Sequence, residues 1–310
     1  MGGFATGERE MTDIRTATTT KQGRLDAVLS DTFGLGRRQM ARVIRAGGVL
    51  IAGRRCSVPS EPVDAGVEVE MNLDAKLTKT PVDIVYENDQ VWILHKPAGV
   101  PTEQGRGGGD ALTTRLAQMK ELDKPPAASH RLDLRASGLV AVAKTSDALR
   151  KLNAALRART VERGYVALVR SWAAPQAQRI DEPLSVSKGH VSVSPNGAEA
   201  VTRVEPLGHD LQNGVGLVAV RLRSGRQHQA RVHLSWAIGA IVGDRRYGDL
   251  LSDAPRVALH AGWLAWGSDT GLEPVRVSIP PAADFWSLCP RTLQLPESWP
   301  TRLGFAGESV

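Results

Sequence analysis

The sequence predicts an α+β protein in which a small N-terminal α/β module precedes a larger unit built on a mixed, largely antiparallel sheet. Three observations support this prediction. The length of 310 residues exceeds one typical domain of about 150 residues. Two short helix-like segments precede the first strand-like runs, and after Tyr165 short apolar runs typical of strands follow one another with few helices between them.

Composition narrows the class of protein. Hydrophobic residues make up 42% of the chain, enough for a buried core, and no apolar run reaches the roughly 18 residues of a membrane span. The N-terminus has no hydrophobic stretch followed by a cleavage site, so we expect a cytoplasmic protein. Cys56 and Cys289 lie far apart in sequence, which fits a reducing compartment and predicts neither a disulfide framework nor a cysteine zinc site.

Positive charge is clustered along the chain. The sequence has 39 Lys plus Arg and 33 Asp plus Glu, a formal net charge of +6. Residues 24–55 contain seven arginines against two aspartates, and residues 130–170 contain nine basic and three acidic residues. Clusters of one sign are typical of proteins that bind a polyanion, and a solvated arginine surface is the alternative interpretation.

The first 75 residues predict a tail followed by a compact module. Residues 1–20 lack apolar periodicity and predict a flexible tail, whereas residues 21–75 predict two helices followed by short strands. In the second helix Arg38, Arg42 and Arg45 recur at intervals of four and three residues, away from the apolar face. With Arg37 beside them, these arginines form a row that suits contact with phosphates.

A polar linker is predicted over residues 76–82, and the larger unit is expected over residues 83–310. Two strands are predicted around the turn at 87–90, followed by a glycine-rich loop at 104–109. Helices are predicted after Asp110, with Leu112, Leu116 and Met119 inside, and after Thr145. Further strands are predicted at 166–169, 191–193, 218–222 and 257–260.

The string HRLDLRASGL carries the strongest chemical signal. His130, Arg131 and Asp133 crowd together just before a turn and an apolar strand. A carboxylate beside arginines stays ionised, as a nucleophile or an electrostatic stabiliser must. The alternative is a structural Asp–Arg pair at a strand end.

A second cluster, SGRQHQARVHL, brings Arg226 and Arg231 directly after a strand. His228 and His233 are five residues apart, which does not place two metal ligands on one helix face, so no metal is predicted. We expect Arg231 to pair with a carboxylate from elsewhere in the fold, with Asp133 as the best candidate.

Two further strings are less specific. Tyr165 in ERGYVALV is either a core residue or a ring that stacks on a base or exchanges a proton. In GDRRYGD, Asp244, Tyr247 and Asp249 occupy a glycine-bounded turn, and we expect them to have a structural and not a catalytic role.

Taken in order, eight strings resemble the RluA family of pseudouridine synthases preceded by an S-four-type RNA-binding domain. The resemblance covers most of the chain from about Gly23 onward. The strings are RLD at Arg24, VLIAG, HKPAGV, HRLDxxxSGL, ERGYVAL, GRQHQARVH, IVGDRRYGD and VALHA.

The resemblance implies a pseudouridine-synthase core and a reaction that needs no cofactor. Asp133 would be the catalytic aspartate, Arg231 its ion-pair partner and Tyr165 the aromatic ring beside the uracil. Arg131 would displace the target nucleotide, and His130 and Arg226 would add RNA contacts. Uracil is detached from ribose at its N1, turned and rejoined through C5, so the uridine must be flipped out of the RNA.

The basic N-terminal module implies docking on a large structured RNA, which predicts large-subunit ribosomal RNA as the substrate, with transfer RNA as the alternative. A monomer is expected. Three residues depart from the family pattern: Ala136 replaces the usual Thr, Ala230 a larger aliphatic residue and Arg163 a Lys. The missing hydroxyl would weaken the Asp133 turn by ~1 kcal/mol and slow catalysis. The departures at Ala136 and Ala230 leave a non-catalytic RNA-binding or ribosome-assembly factor as an alternative. A third hypothesis is an RNA hydrolase that uses Asp133 and His130 as acid–base partners.

Overall fold

The computed structural model describes residues 14–45, 48–52, 54–56, 58–73, 82–104, 110–171, 173–187, 189–250 and 252–305. They form two compact units: one holds the residues before Val82 and the described part of 104–111, and the other holds Val82–Glu103 and the chain from Leu112 on. The predicted linker before Val82 and the predicted glycine-rich loop after Gln104 lie outside the described residues. Within the described ranges no helix is long and apolar enough to cross a membrane.

The first unit packs two helices against a small antiparallel sheet. Its elements are β1 (Ile14–Thr18), β2 (Gly23–Arg24), α1 (Leu25–Phe33), α2 (Arg37–Arg45), β3 (Val49–Ile51), β4 (Arg54–Cys56), β5 (Pro62–Val63) and β6 (Glu68–Asn72). The sheet order is β1-β6-β3-β4, and β2 pairs separately with β5. The two predicted helices are therefore confirmed, and their Leu25, Leu29, Met40 and Ile44 are fully buried.

Part of the predicted tail is instead a strand. Ile14–Thr18 forms β1 and pairs in antiparallel register with β6, from Ile14 opposite Asn72 to Thr18 opposite Glu68. Almost all of its side chains are exposed. Backbone pairing defines this strand, so it leaves no alternation of apolar and polar residues in the sequence.

The second unit is built on one long sheet. Its elements are β7 (Asp83–Glu87), β8 (Val91–Lys96), α3 (Leu112–Met119), β9 (Ser137–Ala143), α4 (Ser146–Ala158), β10 (Glu162–Arg170), β11 (Gln178–Ile180), β12 (Leu184–Ser187), β13 (His190–Val193), β14 (Thr202–Asp210), β15 (Val215–Leu222), α5 (Gln229–Ala237), β16 (Leu259–Trp266), a 3₁₀ turn at Ser268–Thr270, β17 (Val275–Ser278), α6 (Ala283–Trp286) and α7 (Trp299–Arg302). The strand order is β11-β14-β15-β10-β16-β9-β8-β7, with β17 also paired to β16. Among the described pairings of this sheet, only β9 with β16 is parallel, which confirms the mixed, largely antiparallel prediction.

Both faces of the sheet are covered by apolar side chains. Leu94 and Val140 belong to a large core that includes residues of α3 and α5. Their neighbours Ile93 and Leu139 point the other way into a second core with α4. Strands buried on both faces read as continuous apolar runs, which is why SGLVAVA contains no polar alternation.

Most predicted elements of this unit are present. β7 and β8 flank the predicted turn, and Thr145 caps α4 by accepting a hydrogen bond from the Ala148 N–H at 3.1 Å. The expectation that Met119 is buried was wrong, because α3 ends at this residue and leaves its side chain 40% exposed.

Gly138 permits the parallel contact between β9 and β16. Its φ is +124°, and a Cβ at this position would lie 2.2 Å from the carbonyl oxygen of Ala261. Backbone atoms cannot move aside as a flexible side chain can, so a larger residue would separate the two strands.

We therefore predict that Gly138→Ala lowers the free energy of unfolding by about 3 kcal/mol or more, because it combines strain with a backbone clash. Thermal unfolding of the full chain measures the change. Gly36→Ala is the matched control, since a Cβ at Gly36 meets nothing within 4 Å. Equal melting temperatures for the two variants would contradict the prediction.

Candidate active site

Asp133 lies in a loop that precedes β9 and is anchored to it. The Ser129 N–H donates to the Ala141 carbonyl at 3.0 Å, and the Ala141 N–H donates to Nε2 of His130 at 3.2 Å. At the other end the Ala136 N–H donates to the Asp133 carbonyl at 3.1 Å and closes a tight turn. The backbone is thus held on both sides of a carboxylate that stays 25% exposed.

Lys96 ties this loop to the segment that follows β8. Its fully buried ammonium group lies 2.6 to 3.3 Å from the backbone carbonyl oxygens of Pro97, Val100, Leu134 and Ala136. The last two belong to the Asp133 loop. Burial lowers the pKa of Lys96 to about 7, with Arg256 acting in the same direction and Asp133 against it. The four carbonyl oxygens favour the ammonium form and make the lysine a cross-link between two loops.

Arg231, on the first turns of α5, lies between two carboxylates. Its NH1 donates to Oδ2 of Asp133 at 3.1 Å, so the predicted ion pair is present. Its Nε and NH2 donate to the two carboxylate oxygens of Asp244, both at 2.7 Å. This second contact is bidentate and almost completely buried, and it fixes the plane of the guanidinium that meets Asp133.

The charge of Arg231 is maintained by these neighbours. Burial alone would lower its pKa, but the hydrogen bonds and charges of Asp244 and Asp133 outweigh burial and raise the pKa above its ordinary value. A guanidinium so held is a permanent cation that donates a hydrogen bond to Asp133.

His228 faces the other oxygen of the carboxylate. Its Nε2 lies 3.8 Å from Oδ1 of Asp133, and its Nδ1 lies 2.6 Å from the Tyr247 hydroxyl. Burial lowers the pKa of His228, and the charge of Asp133 opposes that shift. If the Tyr247 hydroxyl donates its hydrogen bond to Nδ1, a neutral His228 ring carries its proton on Nε2, which faces Asp133. The Tyr247 ring also lies 4.9 Å from the guanidinium carbon of Arg231.

Tyr165 is a buried residue of β10 that senses the same charges. Burial raises the pKa of its hydroxyl, the Arg163 charge lowers it and the Asp133 charge raises it further. The ring of this tyrosine belongs to the main core. Burial also lowers the pKa of His130 to about 3, with Arg163 adding to that shift, so His130 is a neutral acceptor for the β9 backbone.

A buried relay holds the start of β9, directly after the Asp133 loop. NH2 of Arg256 donates to Oγ of Ser137 at 2.6 Å, and this hydroxyl lies 2.9 Å from Nδ1 of His260. Nε2 of His260 in turn lies 3.2 Å from the Ile279 carbonyl. Burial lowers the pKa of His260 to about 3. The neutral ring therefore donates to Ile279 and accepts from Ser137, whose oxygen remains free to accept from Arg256.

The residues predicted to contact RNA in this unit are placed differently from one another. Arg131 is exposed beside Asp133. Arg226 is also exposed, and its Nε donates to the Glu199 carbonyl at 3.0 Å. His130 instead uses Nε2 to hold the β9 backbone, so the described contacts give it a positioning role in the loop. Its predicted RNA contact stays a prediction.

The N-terminal unit carries the remaining predicted RNA contacts on α2. Arg38 and Arg42 are exposed, whereas Arg37 also contacts Asp26 at 3.3 Å. Burial would raise the pKa of Asp26, but the bonds from Arg24 and Arg37 outweigh it and lower the pKa. The side chain of Arg45 lies outside the described residues, although the helix includes this position.

Sequence reasoning missed two residues of the site. Asp244 was interpreted as structural, yet it is the bidentate partner of Arg231. The available signal was an aspartate in a glycine-bounded turn thirteen residues beyond Arg231. Lys96 was noted only within HKPAGV, and nothing in the spacing shows that its ammonium reaches the Asp133 loop.

The arrangement suits acid–base or nucleophilic chemistry performed by the carboxylate of Asp133. A partly exposed carboxylate is held by a guanidinium on one oxygen, and an imidazole nitrogen lies 3.8 Å from the other. Among the described residues no group of three or more His, Cys, Asp or Glu side chains could hold a metal ion. The contacts described above converge on the carboxylate of Asp133, which is partly exposed.

Comparisons with known proteins identify the chain. The family model for RNA pseudouridylate synthases matches residues 90–236, and the S4 domain model matches residues 23–69. The ribosomal large subunit pseudouridine synthase D of Yersinia pestis is 33% identical over 269 residues, which cover 78% of this chain and 82% of that protein. The chain belongs to the RNA pseudouridylate synthase family. It is a pseudouridine synthase, an isomerase, with an S4 domain at its N-terminus.

Further relatives agree with this assignment of the synthase. The protein of the same name from Escherichia coli K12 is 32% identical over 239 residues, which cover 73% of this chain and 72% of that protein. The solved structure of human RNA Pseudouridylate Synthase Domain Containing 1 has a TM-score of 0.61 at 24% identity. It covers 73% of this chain and 95% of the human chain, and it supports the fold.

The three departures from the family pattern all lie at buried positions of the synthase, including Arg163 at 9% exposed. Ala136 is 2% exposed, and the turn it closes is held by its own N–H and by the ammonium group of Lys96. Ala230 is 4% exposed and packs in the core next to Arg231. The Arg231 contacts with both carboxylates are present with alanine at this position.

We predict that Asp244→Asn lowers kcat of the synthase on the order of 10–100-fold, because the guanidinium that orients Asp133 loses its bidentate carboxylate partner. The free energy of unfolding should fall by about 1–3 kcal/mol, since a buried charged hydrogen bond is weakened. Single-turnover pseudouridine formation and thermal unfolding measure the two effects.

The matched control is Asp147→Asn, which removes a carboxylate from the exposed surface of α4. This variant should keep the wild-type rate and melting temperature. A wild-type rate for Asp244→Asn would show that the second carboxylate does not orient the site.

Proposed function

We propose that the synthase converts uridine to pseudouridine in large-subunit ribosomal RNA with Asp133 as the catalytic residue. The placement of Asp133 carries this proposal: its carboxylate is partly exposed and is held by the buried Arg231. The names of the relatives from Yersinia pestis and Escherichia coli support the choice of ribosomal RNA.

The chemistry requires an ionised carboxylate at the sugar. The bond between ribose C1′ and uracil N1 breaks, and a bond between C1′ and uracil C5 forms. The C5 hydrogen leaves as a proton and N1 gains one, so the reaction is an isomerisation. Asp133 would assist by attacking C1′ or by removing a proton from the sugar as the base departs, and the hydrogen bond from Arg231 would orient its carboxylate for either route.

The base has to leave the RNA stack to reach Asp133. Tyr165 would stack on the uracil after the uridine has flipped out, and the exposed Arg131 would occupy the space that the base leaves. Flipping costs least where pairing is weak, so loops and bulges of the ribosomal RNA are the expected targets.

The S4 domain would supply docking on the structured RNA. Arg38 and Arg42 form an exposed pair along α2, and Arg37 and Arg45 extend that row in sequence. Contacts of this kind depend on salt and not on base sequence. The predicted domain boundaries, a monomeric state and a cytoplasmic location belong to the same proposal.

The test is pseudouridine mapping of all RNA from cells that lack this gene. We expect specific ribosomal sites to lose pseudouridine and to regain it with the wild-type gene but not with Asp133→Asn. The exposed Asp147→Asn variant should restore the sites fully. Sites that vanish from transfer RNA would overturn the proposed substrate, and restoration by Asp133→Asn would overturn the catalytic residue.

A further inference from the structure

A row of arginines crosses three adjacent strands of the catalytic unit in register. Arg179 on β11 lies opposite Arg203 on β14, and Arg203 lies opposite Arg221 on β15. Like charges directly opposite each other destabilise an antiparallel pair. A sheet that places three in a row therefore carries an electrostatic cost that a bound anion would remove.

The row lies on the face of the sheet away from Tyr165. On β15 the residue paired with Tyr165 is Val220, and its neighbour Arg221 is paired with Gly164. Since successive side chains of a strand point to opposite faces, Arg221 and its cross-strand partners do not face the Asp133 site. The row is thus separate from the catalytic pocket.

These arginines line a groove of about 370 Å³ together with Arg223. Gln178 and Glu205 also line this groove. Four arginines and a single acidic residue make it strongly cationic. A groove of this size admits a phosphate group with part of its sugar.

The acidic neighbours only partly neutralise the groove. Arg179 pairs with Asp181 at 2.6 Å and Arg203 with Glu205 at 2.8 Å, whereas the Arg221 contact with Glu162 is long, at 3.6 Å. Within the described part of the chain Arg223 has no ion pair.

The arginines also influence one another. Burial lowers the pKa of Arg221, Glu162 opposes this shift, and the charges of Arg223 and Arg203 lower the pKa further. The cations are therefore close enough to repel.

The groove lies close in sequence to the loop that leads to the catalytic site. The Arg223 N–H donates to the Val201 carbonyl at 3.1 Å, and Ser224 Oγ accepts from the Val201 N–H at 2.9 Å. Three residues after Arg223, the exposed Arg226 marks the start of the segment that carries His228 and Arg231. A strand of RNA that leaves the site past Arg226 would meet the groove next.

We propose that this arginine groove binds the phosphate backbone of the RNA substrate, at a point remote from the flipped uridine. Charge complementarity favours a polyanion, and the short sequence distance from Arg223 to Arg226 favours one that already occupies the active site. The proposal rests on RNA as the substrate class and does not depend on which RNA is modified, because phosphates are common to all.

The test is the salt dependence of RNA binding by the full chain, with a large-subunit ribosomal RNA transcript as the probe. The variant is Arg179→Gln, Arg203→Gln and Arg223→Gln together; Arg221 is left intact because it also bonds the Leu303 carbonyl. Each lost phosphate contact reduces the slope of log K against log salt by about 0.7–0.9, so we expect a reduction of about 2–3. Affinity at low salt should fall on the order of tenfold or more.

The matched control removes three positive charges from exposed positions elsewhere in this unit, as Lys120→Gln, Lys124→Gln and Arg291→Gln. The control should keep the wild-type slope. If both triple variants change the slope equally, or neither changes it, the groove is not an RNA contact and the proposal is overturned.

A second measurement locates the RNA directly. A photocrosslinking amino acid in place of Gln178, which lines the groove, should crosslink to bound RNA. The same amino acid in place of Ala154, exposed on α4, should not. Crosslinking at Ala154 and not at Gln178 would place the RNA on another surface.

Discussion

The guanidinium of Arg231 lies between two carboxylates, and the rest of the site depends on this buried array. Asp244 holds two of its nitrogens in the plane of a bidentate pair, and the third meets Asp133 at 3.1 Å. Removing one member of such an array leaves an uncompensated charge in a region of low dielectric, which costs far more than a surface ion pair. The orientation of the Asp133 side chain is therefore fixed by buried contacts of the folded core.

The backbone around Asp133 is fixed by bonds that do not involve its carboxylate. Lys96 binds two carbonyl groups of the loop, His130 accepts from β9, and the relay from Arg256 through Ser137 to His260 holds the start of that strand. These cross-links come from distant parts of the chain and converge on the eight residues 130–137. They leave the carboxylate exposed to substrate while its position is set on all sides, which is the preorganisation that catalysis by an ionised group requires.

Local patterns in the sequence predicted what depends on local physics. Helical spacing of Leu25 and Leu29 gave α1, and the polar turn between two apolar runs gave β7 and β8. The pairing of Asp133 with Arg231 was predicted from charge, because an arginine directly after a strand was expected to pair with a carboxylate from elsewhere in the fold. Strand β1 was missed because its side chains are exposed, and Asp244 because its partner is chosen by the packing of α5 against a distant turn. Long-range geometry of this kind has no periodicity that sequence reasoning could detect.

The central claim is that Asp133, held by Arg231, performs the isomerisation, and release of the C5 hydrogen tests it most directly. Ribosomal RNA labelled with tritium at uridine C5 releases one tritium for each pseudouridine formed, and a single turnover with excess synthase isolates the chemical step. The account predicts rapid release by the wild type and none above background by Asp133→Asn at the same RNA occupancy. Release by Asp133→Asn at the wild-type rate would contradict it.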